Sequence, residues 1–311
     1  MEGKAQGTYY SIKYYDPQHR NLQSQIDSLL DAFDRSASLW VDSSLLRRLN
    51  ANLTDTLDQT LAELLRASLY VNSYTDGAFD VRIGRLVQAW GFSFKKREEL
   101  DDKALDSLLV AARAKVSVEN VGEVQLLRKE NAATELDFNA IAQGYASDLV
   151  GLFLESQGID NYLVDIGGEV IARGAKADGR LWTIGIEQPA ANRYSERQVQ
   201  TAIAVHDSAV VTSGSYRKYY ERDGVRYSHT IDPATGRPVK HTLLSATVVE
   251  KECWLADAMA TAYMVMGLER AKAFIADHPD GPGTGAVYFI YDSCGTLASY
   301  ATPAFDQLII K

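Results

Sequence analysis

The sequence predicts an α+β fold with mixed, largely antiparallel sheets and packed helices. Three observations predict it. Short β-like runs are joined by tight turns at Gly167-Gly168 and Asp223-Gly224, which signals hairpins. Helical segments fall between the strands in mixed order, not in regular βαβ alternation. No repeat or low-complexity linker interrupts the 311 residues, enough for one large unit or two intimately packed subdomains with a cleft between them.

Taken in order, residues 7–15 (GTYYSIKYY) read as a strand. Residues 20–35 and 57–73 carry apolar residues at helical spacing, the second through Leu61, Leu64, Leu65 and Leu69. Between them, LWVDSSLLRRLN offers Asp42 or Ser43 as the N-cap of a short helix. DGAFDVRIGRLVQAWGF is punctuated by glycine and rich in aromatics, which suggests a structured loop or short helix near a site. REELDDKALDSLLVAARA reads as an amphipathic helix with an acidic start. Strands are expected around 115–118, 124–129 and 135–137, then a helix over 139–157 that Asn139 would cap. NYLVDI and EVIARG form a hairpin, and LWTIGIEQP, VQTAIAVH and AVVTS continue the β pattern. ERDGVRYSHTID turns at Asp223-Gly224, so His229 falls late on the returning strand. A helix starts near Glu252, another covers 269–277, and strands at 286–292, 296–300 and 307–310 close the chain.

Composition narrows the function. A net charge of −9 argues against a nucleic-acid partner. An anionic ligand would need local help from backbone N–H groups, a few Arg or Lys, or a metal. No apolar run reaches the roughly eighteen residues of a membrane-spanning helix. The N-terminal stretch MEGKAQGTYYSIKYYD lacks the charged-then-apolar secretory pattern, so the chain is either cytosolic or has lost an export signal. Cys253 and Cys294 have no CxxC spacing and read as two buried thiols.

Several constellations have the residue types for chemistry. In WLADAMATAYMVMG, Asp257 and Thr261 lie four apart, hence on one helix face, among small alanines. An acid and a hydroxyl with room around them suit Mg²⁺ and a bulky anion. The same spacing also suits a surface acid and a threonine bonded to its own helix. In LDFNAIAQGYASDLV, Asp137 ends a strand before a helix start, where N–H groups favour anions and carbonyls can hold a cation. An ordinary cap would look the same. VDIGGEV and GPGTGAV lack a dinucleotide fingerprint and read as turns. Ser215 and Lys218 match an S-x-x-K spacing, but the companion K-T-G is missing. In YSHTIDPATGRPV, His229 precedes a turn with Pro and Gly where the turn demands them. Its imidazole suits a general base at neutral pH, or it anchors the turn through Asp232 or a backbone group.

Their order is more informative than any one of them. GTYYSI, DGAFDVRIGRLVQAWGF, LDFNAIAQGYASDLV, YLVDIGGEV, WTIGIEQP, VVTSGSYRKYY, YSHTIDPATGRPV and ADAMATAYMVMG run as in the ApbE family, the FAD:protein FMN transferases, which the chain resembles from about Gly3 to its end. SHTIDPATG and ADAMAT are the most specific blocks. The resemblance implies an ApbE-like, T-fold-related architecture. It also implies Mg²⁺-dependent transfer of FMN from FAD to a Thr or Ser hydroxyl of an acceptor protein, with release of AMP.

By position, the resemblance implies Asp257, Thr261 and the Ala140 carbonyl as metal ligands. It implies Gln6, Ala78, Phe79, Asp80, Asp137, Gln143 and Ile231 as flavin-binding positions, and His229 as activator of the acceptor hydroxyl. Many relatives have Tyr where Leu39 and Trp40 stand, and Trp40 is expected to supply an aromatic wall together with Phe79 and Tyr145. Relatives often have Met at Gln6 and Lys or Glu at Gln143. Members are generally exported, often as lipoproteins, so a periplasmic form held to the membrane by a lipid anchor is expected. The alternatives left open are an FAD pyrophosphatase giving FMN and AMP, a non-enzymatic FAD carrier, and a serine hydrolase using Ser215.

Overall fold

The structure, a computed structural model, describes residues 1–93, 100–189, 198–215, 219–222 and 225–310, with backbone alone for 219–222 and 225–228. The chain opens with β1 (Glu2–Ala5) and β2 (Thr8–Tyr14), then α1 (Gln23–Ala37), α2 (Leu45–Asn50), β3 (Thr56–Leu57) and α3 (Gln59–Tyr74). The short α2 is capped by Ser44, whose side chain accepts the Arg47 N–H, and not by Asp42 or Ser43. Asp58 caps α3 through the Leu61 N–H.

Next come α4 (Gly84–Ala89), α5 (Asp102–Arg113), β4 (Val116–Val121), β5 (Val124–Lys129) and α6 (Ala142–Ser156). The strand expected at 135–137 is reduced to a single parallel bridge, Ile83 to Glu135. Asn139 does not cap α6: the cap position is Ile141, which offers no side-chain bond.

The second half runs β6 (Tyr162–Ile166), β7 (Glu169–Arg173), β8 (Trp182–Glu187), β9 (Val199–Val205), β10 (Ser208–Gly214), β11 (Tyr219–Arg222), β12 (Val225–Ser228), β13 (Ile231–Asp232), β14 (Arg237–Pro238) and β15 (Leu243–Glu250). It ends with α7 (Cys253–Met266), α8 (Leu268–Asp277), β16 (Ala286–Ser293), β17 (Thr296–Ala301) and α9 (Pro303–Asp306). β11 and β12 pair as expected, while the Asp223-Gly224 turn lies outside the described residues. The terminal strand expected at 307–310 is replaced by α9 and one bridge from Ile309 to Ile203. Cys253 is buried as expected, but Cys294 is exposed on the β16–β17 turn.

Eight antiparallel strands form the main sheet, in the order β1-β2-β6-β7-β10-β15-β16-β17. The sheet is covered on both faces, which explains unbroken apolar runs such as AVYFIY. Successive side chains point to opposite faces. Val287 and Phe289 of β16 enter the main core, while Tyr288 and Ile290 enter a second cluster with Trp182, Ile203 and Phe305. The main core holds α6 and α7 against the sheet, and the second cluster packs the β8–β9 ribbon and α9 on it.

The sequence pattern predicts no strand over β15, an interior strand of this sheet. Its pattern is broken by Ser245 and Thr247, both fully buried; Thr247 meets Thr212 of β10 hydroxyl to hydroxyl at 2.8 Å. A third, smaller cluster joins α4, α5 and the β13–β14 turn through Leu86, Trp90, Leu105, Leu109 and Ile231. Among the described residues, no helix is long and apolar enough to cross a membrane.

Candidate functional site

Asp257 sits on α7, a helix buried on nearly all sides. Only 5% of it is exposed, which excludes the surface-acid reading. Its Oδ2 accepts the Gly144 N–H from the first turn of α6 at 3.1 Å. Burial pushes its carboxyl well above the usual carboxylate range, against the Gly144 N–H that pulls it down, and the nearby Asp148 carboxylate adds to the rise. One turn on, Thr261 is half-buried and its Oγ1 lies 3.3 Å from Ser213 Oγ of β10. Thr261 thus pairs across to the sheet and not back to its own helix.

The two helices approach closely because Gly144 has no side chain. A Cβ there would stand 2.5 Å from the Cys253 carbonyl oxygen and 2.8 Å from Asp257 Cβ. Gly144→Ala should therefore destabilise the fold by about 1–3 kcal/mol through overpacking, reversing the roughly 1 kcal/mol that Ala ordinarily gains over Gly in a helix. Urea unfolding of the variant against wild type checks this.

The Ala140 carbonyl lies just before α6. Extending the helix back by one residue would commit the Gly144 N–H to that carbonyl, but the N–H is taken by Asp257. Among the described residues, Ala140 O accepts no backbone hydrogen bond. The donor set of Asp257, Thr261 and Ala140 is all oxygen, as a hard cation requires. No group of three or more His, Cys, Asp or Glu that could hold a metal ion occurs among the described residues.

Asp137 adjoins this set. Its Oδ1 accepts the Asn139 N–H at 2.9 Å, while its buried Oδ2 has no hydrogen-bond partner. Desolvation raises its carboxyl to about 6, against the Asn139 amide that pulls it down. The Asp137 N–H donates to Val81 O at 2.8 Å, tying this segment to the GAFD stretch. Within that stretch Ala78 and Phe79 are buried, Phe79 to 1% exposure, so its ring belongs to the core and forms no wall toward a ligand. Asp80 is held by both arms of Arg82, at 2.8 and 2.7 Å. Of the other expected walls, Trp40 is 60% exposed, and Tyr145 stacks on Phe33 while its hydroxyl donates to Glu63.

Gln143 comes near the β6–β7 turn. Gly167 bonds through its N–H to Tyr9 O, and a Cβ on it would stand 2.8 Å from both Gln143 Nε2 and Thr8 Cγ2. Gln6 takes a left-handed φ of 51° in the β1–β2 hairpin, and both polar atoms of its side chain are buried without a partner. Such atoms are costly unless a ligand meets them.

His229 immediately follows β12, and its ring lies edge-on to Phe92 with centroids 6.4 Å apart. The adjoining turn is anchored from outside: Trp90 Nε1 donates to Gly236 O at 2.7 Å, and Arg113 Nη2 to Ala234 O at 2.7 Å. Asp232 accepts the Ala234 N–H and the Thr235 hydroxyl, each at 2.9 Å. Asp232 therefore builds the turn and does not hold the imidazole. Ile231 is buried beside Trp90 in the third cluster. Ser215 lies beside the Leu244 carbonyl, 3.5 Å from its hydroxyl, and Lys218 falls outside the described residues.

The fold thus brings Asp257 of α7 to the first turn of α6, which Asp137 and Ala140 precede, with Thr261 one turn further along α7, and it sets Gln143 beside Gly167. Two clefts of about 570 and 410 Å³ flank β2 and include none of these residues in their walls. Sequence reasoning missed Gly144, Ser213 and Asp148. A glycine inside a helical pattern signals close packing and could have pointed to the first; nothing local marks the other two.

The model of the ApbE family matches residues 6–283. A Vibrio cholerae protein named FAD:protein FMN transferase is 38% identical over 320 aligned positions, spanning 100% of this chain and 92% of that protein. Its Escherichia coli K12 namesake is 33% identical, spanning 100% and 89%. The solved structure of flavin transferase ApbE from Vibrio cholerae superposes with a TM-score of 0.81 at 34% identity, covering 99% of this chain and 98% of that one. The apo form of Pseudomonas stutzeri flavinyl transferase ApbE gives 0.83 at 32% identity, covering 99% and 95%. The α+β architecture is common to all three chains.

Proposed function

The chain belongs to the ApbE family, and from that premise we propose that it is an FAD:protein FMN transferase, moving FMN from FAD to a Thr or Ser hydroxyl of an acceptor protein with Mg²⁺ and releasing AMP. One observation carries the reading. A buried carboxylate, Asp257, accepts the Gly144 N–H from the first turn of α6, and the Ala140 carbonyl just before that turn accepts no backbone hydrogen bond among the described residues. Full-length similarity to proteins named for this activity supports it.

Asp257, Thr261 and Ala140 would hold the cation. Bound there, Mg²⁺ would offset the diphosphate's charge within a chain of net charge −9 and stabilise charge building on the leaving group. An imidazole nitrogen of His229 accepts the proton from the acceptor Oγ as that oxygen bonds to the FMN phosphorus. The bond from that phosphorus to the bridging oxygen breaks, and AMP departs with the electron pair. The Gln6 and Gln143 carboxamides meet polar edges of the flavin, and Trp40 offers it a ring face. Ala78, Phe79 and Asp80 contribute through the backbone, since their side chains are committed to the core or to Arg82. Asp137 and Ile231 complete the binding walls.

The test is mass spectrometry of a Thr-containing acceptor peptide after incubation with FAD and Mg²⁺. We expect a gain of one FMN less water on the hydroxyl, with one AMP formed per peptide. FMN release at the same rate without peptide would make the protein a pyrophosphatase. Tight FAD binding without turnover would make it a carrier. An extracytoplasmic, lipid-anchored location belongs to the proposal on the strength of the family resemblance, and fractionation of the native cells checks it.

A further inference from the structure

α6 and α7 cap each other. The cap residue of each, Ile141 for α6 and Glu252 for α7, makes no side-chain bond to its own helix. Each helix instead receives a carboxylate from its neighbour. Asp148 of α6 accepts the Cys253 N–H on Oδ1 at 2.9 Å and the Trp254 N–H on Oδ2 at 2.8 Å, the first two N–H groups of α7. Asp257 of α7 accepts the Gly144 N–H of α6. Gly144 and Asp148 are four residues apart on one face, as are Cys253 and Asp257 on the other helix, so the two clasps share one register.

That register decides what the Ala140 carbonyl can do. While Asp257 takes the Gly144 N–H, the carbonyl stays outside the helix. If α7 slides or tilts, the N–H is released, and closing the next helical bond would consume the carbonyl. Asp148 is the only side chain shown to satisfy the N–H groups of Cys253 and Trp254 among the described residues. We propose that Asp148 is a positioning residue for the metal site: by fixing the start of α7 on α6, it keeps Asp257 on Gly144 and the Ala140 carbonyl open to a cation. The proposal rests on the metal assignment above.

The experiment measures Mn²⁺ binding to the whole protein, read from loss of the free-ion EPR signal, alongside the Mg²⁺ dependence of FMN transfer. Asp148→Ala should weaken Mn²⁺ binding by about 10- to 100-fold, the effect typical of groups that orient metal ligands. It should raise the half-saturating Mg²⁺ concentration more than it lowers the rate at saturation. Asp148→Asn keeps one acceptor oxygen and should fall between, and it carries the test if the alanine variant does not fold by circular dichroism. Asp101→Ala is the control. It removes an equivalent cap, the Asp101 bond to the Ala104 N–H at 2.7 Å on α5, so it should cost stability and leave Mn²⁺ binding unchanged. Asp148 variants no weaker in Mn²⁺ binding than Asp101→Ala would overturn the positioning role and leave the metal assignment standing. Wild-type binding retained in Asp257→Ala, or no Mn²⁺ binding by wild type, would overturn both.

Discussion

Asp257→Ala is expected to abolish the proposed Mg²⁺-dependent FMN transfer, lowering the rate by about 10³-fold or more. The figure follows from what the metal contributes. A bound divalent ion supplies several kcal/mol of transition-state charge stabilisation, and about 4 kcal/mol corresponds to about 10³ in rate. Asp257 is the only charged member of the proposed donor set, so its loss leaves Thr261 and the Ala140 carbonyl without the attraction that holds a cation. The variant also strands the Gly144 N–H, at a cost of about 1–3 kcal/mol, while relieving the burial of a carboxylate. Asp257→Asn separates these effects: it keeps an oxygen for Gly144 and removes only the charge. Equal loss of transfer in both variants, with the asparagine protein melting near wild type, assigns the defect to cation binding. Transfer at wild-type rate in Asp257→Asn would remove the carboxylate from the mechanism.

How much of this could be read from the chain depends on how local each feature is. The Asp257–Thr261 pair was legible because four residues on a helix share a face whatever the fold. The Gly167-Gly168 hairpin was legible because turn chemistry is local. Strand β15 escaped because buried polar residues break its apolar pattern, and the one that is matched, Thr247, is satisfied only across the sheet by Thr212, thirty-five residues away. Asn139 looked like a cap, but α6 takes its cap from Asp257, 113 residues away from Gly144 in sequence. Phe79 looked like a wall for a flat ring because composition cannot say which face of a loop turns inward. Asp148 left no signal, since an acid inside a helix becomes informative only when the helix it clasps is in place. The site therefore divides into a locally coded part, the residue types and their spacing, and a part coded by packing, which decides which oxygens remain open.

The imidazole is where these two parts meet, and His229→Ala should reduce FMN transfer by about 10²–10⁴-fold, the range of general-base help, while FAD binding stays within about twofold of wild type. The geometry supports this split. The turn beside His229 is held by Trp90, Arg113 and the Asp232 carboxylate, none of which depends on the imidazole, so truncation should leave it standing. In the proposed site the diphosphate would rest on α6 and α7, which His229 does not cap. A base must be neutral to accept the acceptor proton, so wild-type transfer should show an acid limb where that base loses its own proton. That acid limb should vanish in His229→Ala, with the residual rate flat across it. Rate-versus-pH curves and FAD titrations of both proteins supply the check. A His229→Ala enzyme with full transfer activity would show that the acceptor hydroxyl loses its proton elsewhere. A variant with weakened FAD binding and an unchanged acid limb would make the ring a wall of the flavin site and not its base.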